Sequence, residues 1–329
     1  MEFAPLDVPL TRRRQTFATF IYSSMMPLTQ SFFLILCFFP MLWPLIFAYF
    51  IFMYFDNAAE KGGRINHWVK NWTIWTWLAE FFPSKLIVEE ELDPKETYIF
   101  GYHPHGIIST GAFINFATNG TKLSEKLPGL NIRLCTLASN FFMPIYRELL
   151  LALGIISVSK KAILNVLKSG KGNSCVIVVG GAQESLSANE NNLDLVLKKR
   201  FGFVSLAIKT GSNLVPVFGF GENQILDTVI PEPDSYIHKL QIKMKQALGF
   251  TMPIFHGRGI FTYNYGIMPK RVPLTIVVGK AIKVKQVDNP SNELVAEVHQ
   301  QYMDALLDLY NRNKALYSPI PSPPEMCFI

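Results

Sequence analysis

The sequence predicts an α/β fold, a mixed sheet covered by helices, with a hydrophobic helical hairpin carried at its N-terminal end. Three observations predict it. Forty residues from Thr16 to Phe55 contain no charged side chain. Beyond them, short apolar β-rich runs alternate with helical stretches, the pattern of a sheet layered with helices. The whole chain of 329 residues is 49% hydrophobic and 17% charged, apolar for a soluble enzyme but too polar for a bundle of many membrane spans.

The uncharged run comes first. As one helix it would reach roughly 60 Å, about twice a hydrocarbon core. Pro40 and Pro44 interrupt its centre, so two arms, about Thr19–Phe39 and Met41–Phe55, joined by a proline turn fit better than one rod. Basic residues stand on both sides: Arg12, Arg13 and Arg14 before, Lys61 and Arg64 after. The positive-inside rule then places both ends in the cytosol, as a hairpin requires. Full spanning and a re-entrant wedge both remain open. The organisation expected is a cytosolic segment 1–15, a membrane hairpin 16–55 and a cytosol-facing domain 56–329. The run is too long for a cleaved signal peptide and lacks its small-residue cleavage site. Asn71-Trp72-Thr73 and Asn119-Gly120-Thr121 match glycosylation acceptors, but on the cytosolic side they read as chance matches.

Next, the aromatic stretch Trp68–Phe82 reads as an interfacial helix laying the domain on the bilayer. Thr97–Tyr102, Ser174–Val179, Leu214–Phe218 and Leu274–Val278 read as strands buried on both faces. Phe203–Thr210 reads as a helix stopped by Gly211. Leu294, Val298, Tyr302, Leu306 and Leu309 recur at helical spacing and give a final amphipathic helix. The Pro-rich tail Ser318–Pro324 is expected to be loose. The four cysteines are far apart and form no Cys-x-x-Cys pair, which suits reduced thiols rather than a disulfide framework.

Chemistry concentrates at strand ends. His103-Pro104-His105-Gly106 follows the strand Thr97–Tyr102 directly, where α/β sheets place their sites. Proline stiffens this segment and Gly106 permits a tight turn. Two histidines at i and i+2 could ligate a metal, but no third ligand cluster accompanies them, and no metal is expected. Gly180-Gly181-Ala182-Gln183-Glu184-Ser185 follows the strand Ser174–Val179. Its glycines allow close backbone approach, and Glu184 falls at the same sheet edge as the histidines, where a carboxylate could orient an imidazole.

The net charge of +6 suits anionic membrane surfaces or phosphate-bearing ligands. Nucleic acid is not expected as a partner, because the basic residues are scattered and no nucleic-acid-binding signature appears. Lys198, Lys199 and Arg200 form one basic cluster, and Arg258 stands between glycines in His256-Gly257-Arg258-Gly259. These groups suit phosphate, although a Lys-Lys-Arg run is as commonly a solvated surface.

These blocks together carry a resemblance. The apolar hairpin, HPHG, GGAQES, RFGF with LVPVFGFGEN, FHGRG and PLTIVVGKAI resemble the type-2 diacylglycerol acyltransferase family, its fungal members in particular. That family also holds monoacylglycerol and wax-alcohol acyltransferases, and MEFAPL at the start is similar to the monoacylglycerol enzymes. The resemblance implies an enzyme of the endoplasmic reticulum and lipid droplets. It implies acyl-CoA as co-substrate, diacylglycerol as partner, no cofactor, and His105 or His103 as catalytic base. Homo-oligomerisation is left open.

A fainter likeness is to glycerolipid acyltransferases that use a His-x4-Asp dyad. Here Ile108 and Thr110 stand five residues after the two histidines, so the dyad aspartate is absent. By analogy Glu184 becomes the orienting carboxylate. The family's Tyr-Phe-Pro element reads Phe81-Phe82-Pro83, which puts a role for that phenol in doubt. The expected chemistry is direct transfer, with His105 favoured as base. Tetrahedral charge would be held near Gly106 or the Gly180-Gly181 turn, and coenzyme A phosphates near Lys199, Arg200 and Arg258.

Overall fold

The structure is a computed structural model that describes residues 2–5, 7–187, 192–229 and 254–329, with isolated positions 232, 235, 236, 239 and 243 between the last two ranges. In chain order the strands are β1 (Lys85–Val88), β2 (Tyr98–His103), β3 (Asn131–Thr136), β4 (Ile156–Ser157), β5 (Asn173–Val178), β6 (Leu193–Leu195), β7 (Asn213–Phe220), β8 (Asp227–Val229), β9 (Ile254–His256), β10 (Thr275–Val278) and β11 (Met326–Phe328). Seven of them form one sheet in the order β1-β10-β7-β2-β5-β3-β4. Neighbours run parallel except β10 against β7, so the sheet is mixed, as the alternating pattern predicts. All four expected strands are present within one or two residues.

Side chains alternate across the sheet. On β2, Tyr98, Phe100 and Tyr102 enter one apolar layer with Phe113, Phe116 and Trp75. Ile99 enters the other, beneath the final helix Asn292–Tyr317, with Tyr302, Leu306 and Leu309. This alternation decides where the two histidines go. His103, still in the strand, belongs to the face beneath the final helix; His105 lies past the strand end. Pro216 sits within β7, where β10 pairs only with residues 217–220, so its missing N–H leaves no gap in that ladder.

The hairpin is two helices, α1 (Leu10–Cys37) and α2 (Trp43–Phe55), joined by a 3-10 turn at Pro40–Leu42. The first arm, Leu10–Cys37, and the second taken with its flanking turns, Pro40–Glu60, are each long and apolar enough to cross a membrane. The first starts earlier than expected, because Pro9 precedes it and nothing before Thr16 stops a helix, so Arg12, Arg13 and Arg14 lie in its opening turns. No residue of α2 is buried. At the tip Phe38 is 82% and Met41 90% exposed, apolar surface of the kind that a membrane covers.

Polar contacts pin the hairpin to the sheet domain. The Gln30 amide donates to the Pro144 carbonyl at 3.0 Å, and the Tyr49 hydroxyl donates to Glu148 at 3.1 Å. Asp56, just past α2, pairs with Arg64 and Arg147, and both guanidiniums also reach Glu148. Arg147 is 2% exposed.

Two expectations are corrected here. Trp68–Phe82 is not one interfacial helix. It breaks at Asn71-Trp72 into a turn at His67–Lys70 and a helix at Thr73–Phe81 whose Trp75, Leu78 and Phe81 are core. Trp75 stays inside because its indole N–H has a partner, the Val69 carbonyl at 2.7 Å. Trp68 alone keeps the expected exposure. Nor is the tail Ser318–Pro324 without an anchor, although it has no regular structure: the Tyr310 hydroxyl donates to the Pro324 carbonyl, and just beyond it β11 pairs in parallel with β6. Prolines of fixed φ give up little entropy on docking. The two acceptor-like asparagines bond each other, Asn119 donating to Asn71 at 2.7 Å. All four cysteines are free, and Cys135 and Cys175 are buried.

Candidate active site

The carboxyl ends of β2, β5 and β7 form one sheet edge, and each contributes a turn. From β2 comes His103-Pro104-His105-Gly106, from β5 Gly180-Gly181 leading to Glu184, and from β7 Gly221-Glu222-Asn223. Pro104, Glu184, Glu222 and Asn223 line a narrow cleft there, roofed by Asn192, Leu193 and the tail residues Ser318, Pro319, Pro323 and Pro324.

The histidines have different jobs. The Tyr302 hydroxyl donates to the Gly101 carbonyl at 3.0 Å, so its oxygen accepts the N–H of His103 Nε2 at 3.1 Å. That fixes one tautomer. His103 is wholly buried, its Nδ1 has no hydrogen-bond partner among the described residues, and burial pushes its pKa down to about 3. It is a neutral group of the core. His105 sits on the partly exposed turn, and its Nδ1 faces the Gly106 carbonyl at 3.0 Å. A carbonyl only accepts, so Nδ1 carries the proton and Nε2 keeps its lone pair. Burial lowers the pKa of His105, partly offset by that bond, which keeps the ring neutral and basic at neutral pH.

Glu184 is at the site but acts on the backbone. Its Oε2 accepts the His105 N–H at 2.9 Å and its Oε1 the Val196 N–H at 2.7 Å. The expectation that it orients an imidazole directly is corrected: the ring nitrogens turn to Gly106 and Tyr302, and the carboxylate clamps the turn that carries His105. Burial raises its pKa against those bonds and the nearby Arg200 charge. Gly180 is required because a Cβ there would fall inside the Glu184 carboxyl. Gly181 has φ +62° and opens the helix Gly181–Ser187.

A second buried carboxyl, Glu222, escaped the sequence reading although it stands in the quoted GFGEN. It accepts the Tyr102 hydroxyl at 2.7 Å, the Thr110 N–H at 2.7 Å and the Gly111 N–H at 2.9 Å. Burial nonetheless pushes its pKa up to about 7. Gly106, at φ +59°, makes room for it, since a Cβ there would lie 2.7 Å from the Glu222 Cγ. Two carboxyls therefore bracket the HPHG turn. The only signal in sequence was a glutamate closing a strand rich in glycine and aromatics. Tyr302 was legible as a buried helix position, not as the partner of His103.

The hairpin reaches this edge too: the Tyr22 hydroxyl of α1 lies 3.4 Å from Thr110 Oγ1. The expected basic residues do not converge. Arg200 Nη2 reaches the Gly180 carbonyl at 3.4 Å, and Lys199 is exposed beside it. Arg258 lies across the sheet, its guanidinium 5.8 Å from the Phe81 ring and 4.7 Å from that of Tyr263. β5 and β1 are four strand spacings apart, about 19 Å.

Fold and site together define a membrane-anchored α/β enzyme with a single basic imidazole nitrogen on a clamped turn. The family model for diacylglycerol acyltransferase matches residues 35–324. A diacylglycerol O-acyltransferase 2A of Umbelopsis ramanniana is 46% identical over 96% of this chain and 90% of its own length. A 2-acylglycerol O-acyltransferase 1 of Bos taurus is 43% identical over 100% of this chain and 99% of its own. Human diacylglycerol O-acyltransferase 2 is 42% identical over 84% of this chain and 72% of its own. This chain belongs to the diacylglycerol acyltransferase family, and it is an acyltransferase.

Proposed function

We propose that the protein transfers a fatty acyl group from acyl-CoA to the free hydroxyl of 1,2-diacylglycerol, giving triacylglycerol, with His105 as general base. The acceptor is read from family membership and from relatives named diacylglycerol O-acyltransferase, including the 46% identical one. The observation that carries the mechanism is the His105 tautomer, which leaves Nε2 as the basic atom on the turn.

Nε2 takes the proton of the acceptor hydroxyl as its oxygen attacks the thioester carbonyl. The ester bond forms, the carbon–sulfur bond breaks, and the thiolate leaves with the proton that His105 held. Glu184 holds the turn so that the ring does not have to be positioned during the reaction. Backbone N–H groups at Gly106 and the Gly180-Gly181 turn are the candidates to hold the tetrahedral oxyanion. Acyl-CoA is a co-substrate, and the reaction as written needs no cofactor. Residues 16–55 lie in the membrane of the endoplasmic reticulum or on a lipid droplet, and 56–329 face the cytosol.

A second reading, monoacylglycerol as acceptor, is favoured by the full-length similarity to a 2-acylglycerol O-acyltransferase. Membranes holding the protein should be given labelled oleoyl-CoA with diacylglycerol, monoacylglycerol and hexadecanol in competition. Triacylglycerol as the dominant product supports the first reading. Dominant diacylglycerol moves the assignment to the second, and no acylated product overturns both.

A further inference from the structure

We propose that Arg258 and Arg271, with Arg12 beside them, form a binding site for a phosphate-bearing ligand at the root of the hairpin. The site lies on the sheet edge of His105 but on the side away from Lys199 and Arg200. Its assignment to the phosphates of coenzyme A rests on the acyl-transfer reading; a phospholipid headgroup carries the same chemistry.

Both guanidiniums gather at one ring. Their carbons lie 5.8 Å (Arg258) and 4.2 Å (Arg271) from the centroid of Phe81, and Tyr263 stacks on Arg258 at 4.7 Å. Their polar partners are neutral. Arg258 Nε donates to the Gly259 carbonyl at 3.3 Å. Arg271 Nη1 donates to Gln15 Oε1 at 2.7 Å and to the Phe81 carbonyl at 3.1 Å. Among the described residues no carboxylate forms an ion pair with Arg12, Arg258 or Arg271. Glu80 comes nearest in chemistry, and only by accepting from the other end of Gln15 at 3.4 Å. Elsewhere the contrast is plain, since Arg64, Arg147, Lys270 and Arg312 all have carboxylate partners.

A guanidinium 8% exposed, as Arg258 is, without a counter-charge is costly to keep. An arriving anion relieves that cost. Burial first, and then the charges of Arg12 and Arg258, bring the pKa of Arg271 down to about 10, so the cluster is electrostatically unbalanced as it stands. The aromatic faces fix the guanidinium planes and leave their outer N–H groups for the bidentate contacts that phosphate favours. Position fits as well. Phe81 leads into β1 and Arg271 into β10, while β1 stands three strand spacings from β2, about 14 Å. A flexible pantetheine arm can bridge from phosphates there to a thioester at His105.

The test uses the full chain in membranes, as the unmodified protein, Arg258→Gln, Arg271→Gln and Arg271→Lys. With oleoyl-CoA, the glutamine variants should raise KM by about tenfold or more, the loss of a charge-assisted hydrogen bond, with kcat changed far less. They should also lose the preference for oleoyl-CoA over its 3′-dephospho form, and Arg271→Lys should recover part of it. If KM holds but flotation with phosphatidylcholine vesicles containing phosphatidic acid falls, the site stands and its phosphate is a headgroup. Because a variant can fail to fold, phenylglyoxal modification of Arg258 and Arg271 in the unmodified protein is read by mass spectrometry, with and without coenzyme A, inorganic pyrophosphate or those vesicles. Protection supports the site. Unchanged KM and vesicle binding in folded variants, or no protection by any of the three, overturns it. Product formed by folded variants with both KM and vesicle binding unchanged would sink the site and leave acyl transfer standing. No product from the unmodified chain would sink acyl transfer and leave the protection readable.

Discussion

Helix α2 and strand β7 are both almost wholly apolar, yet none of the thirteen residues of α2 is buried and all eight of β7 are. Composition therefore says that a segment avoids water, not what covers it. For β7 the cover is protein: β2 and β10 on its flanks and the final helix across its face. For α2 it has to come from outside, and a bilayer supplies it. The site lies where the two regimes meet, with Tyr22 of the hairpin at Thr110 and Thr110 at Glu222.

That contrast can be broken at its joint. Arg147→Ala leaves the half-exposed Arg64 as the cation paired with Asp56 and Glu148, so the loss should fall at or below the low end of the range, about 3–5 kcal/mol, that a fully unpaired buried charge costs. Chemical denaturation of the detergent-solubilised protein should show that loss. An unchanged midpoint would mean that the hairpin root is not held by this network.

On the protein-covered side, Glu222→Gln should flatten the dependence of stability on pH. The pKa of Glu222 is raised from 4.5 to about 7, so the folded state holds its proton more tightly than the unfolded chain does. The stability this lends is complete below pH 4.5 and is lost as pH rises through about 7. The span corresponds to about 3 kcal/mol. Melting curves between pH 5 and 8 should fall for the unmodified protein and fall less for the variant.

The smallest effect on folding belongs to the lipid-covered side. Phe47→Ser, at a site 68% exposed, should move stability in detergent by no more than about 0.5 kcal/mol while weakening retention in membranes. A large loss in detergent would mean that α2 is covered by protein after all.

The four strands, the hairpin and the final helix were legible because each rests on local periodicity or on an unbroken apolar run. HPHG and Glu184 were legible as chemistry at strand ends. What was not legible depends on contacts distant in sequence. Trp75 is core because Val69 satisfies its N–H, and the tail is held because Tyr310 bonds Pro324 and β6 offers a strand edge to the residues just beyond. Glu222 closes on a turn more than a hundred residues earlier. The separation of the histidines was half legible, since period two already sends His103 inward from β2. Only Tyr302, from the far end of the chain, fixes its tautomer.

The central claim is that His105 is the base and His103 is core. It is tested most directly by steady-state triacylglycerol synthesis from oleoyl-CoA and diacylglycerol, comparing His105→Ala with His103→Gln in membranes matched for protein content. His105→Ala should lose about 100-fold or more in turnover with stability and membrane retention intact. His103→Gln, which keeps a donor for Tyr302, should lose stability first and retain most of its turnover. In the unmodified protein the acid limb should fall below pH 6.5, following the lowered pKa of His105. Near-normal synthesis by His105→Ala, or a stably folded His103→Gln with none, would contradict it.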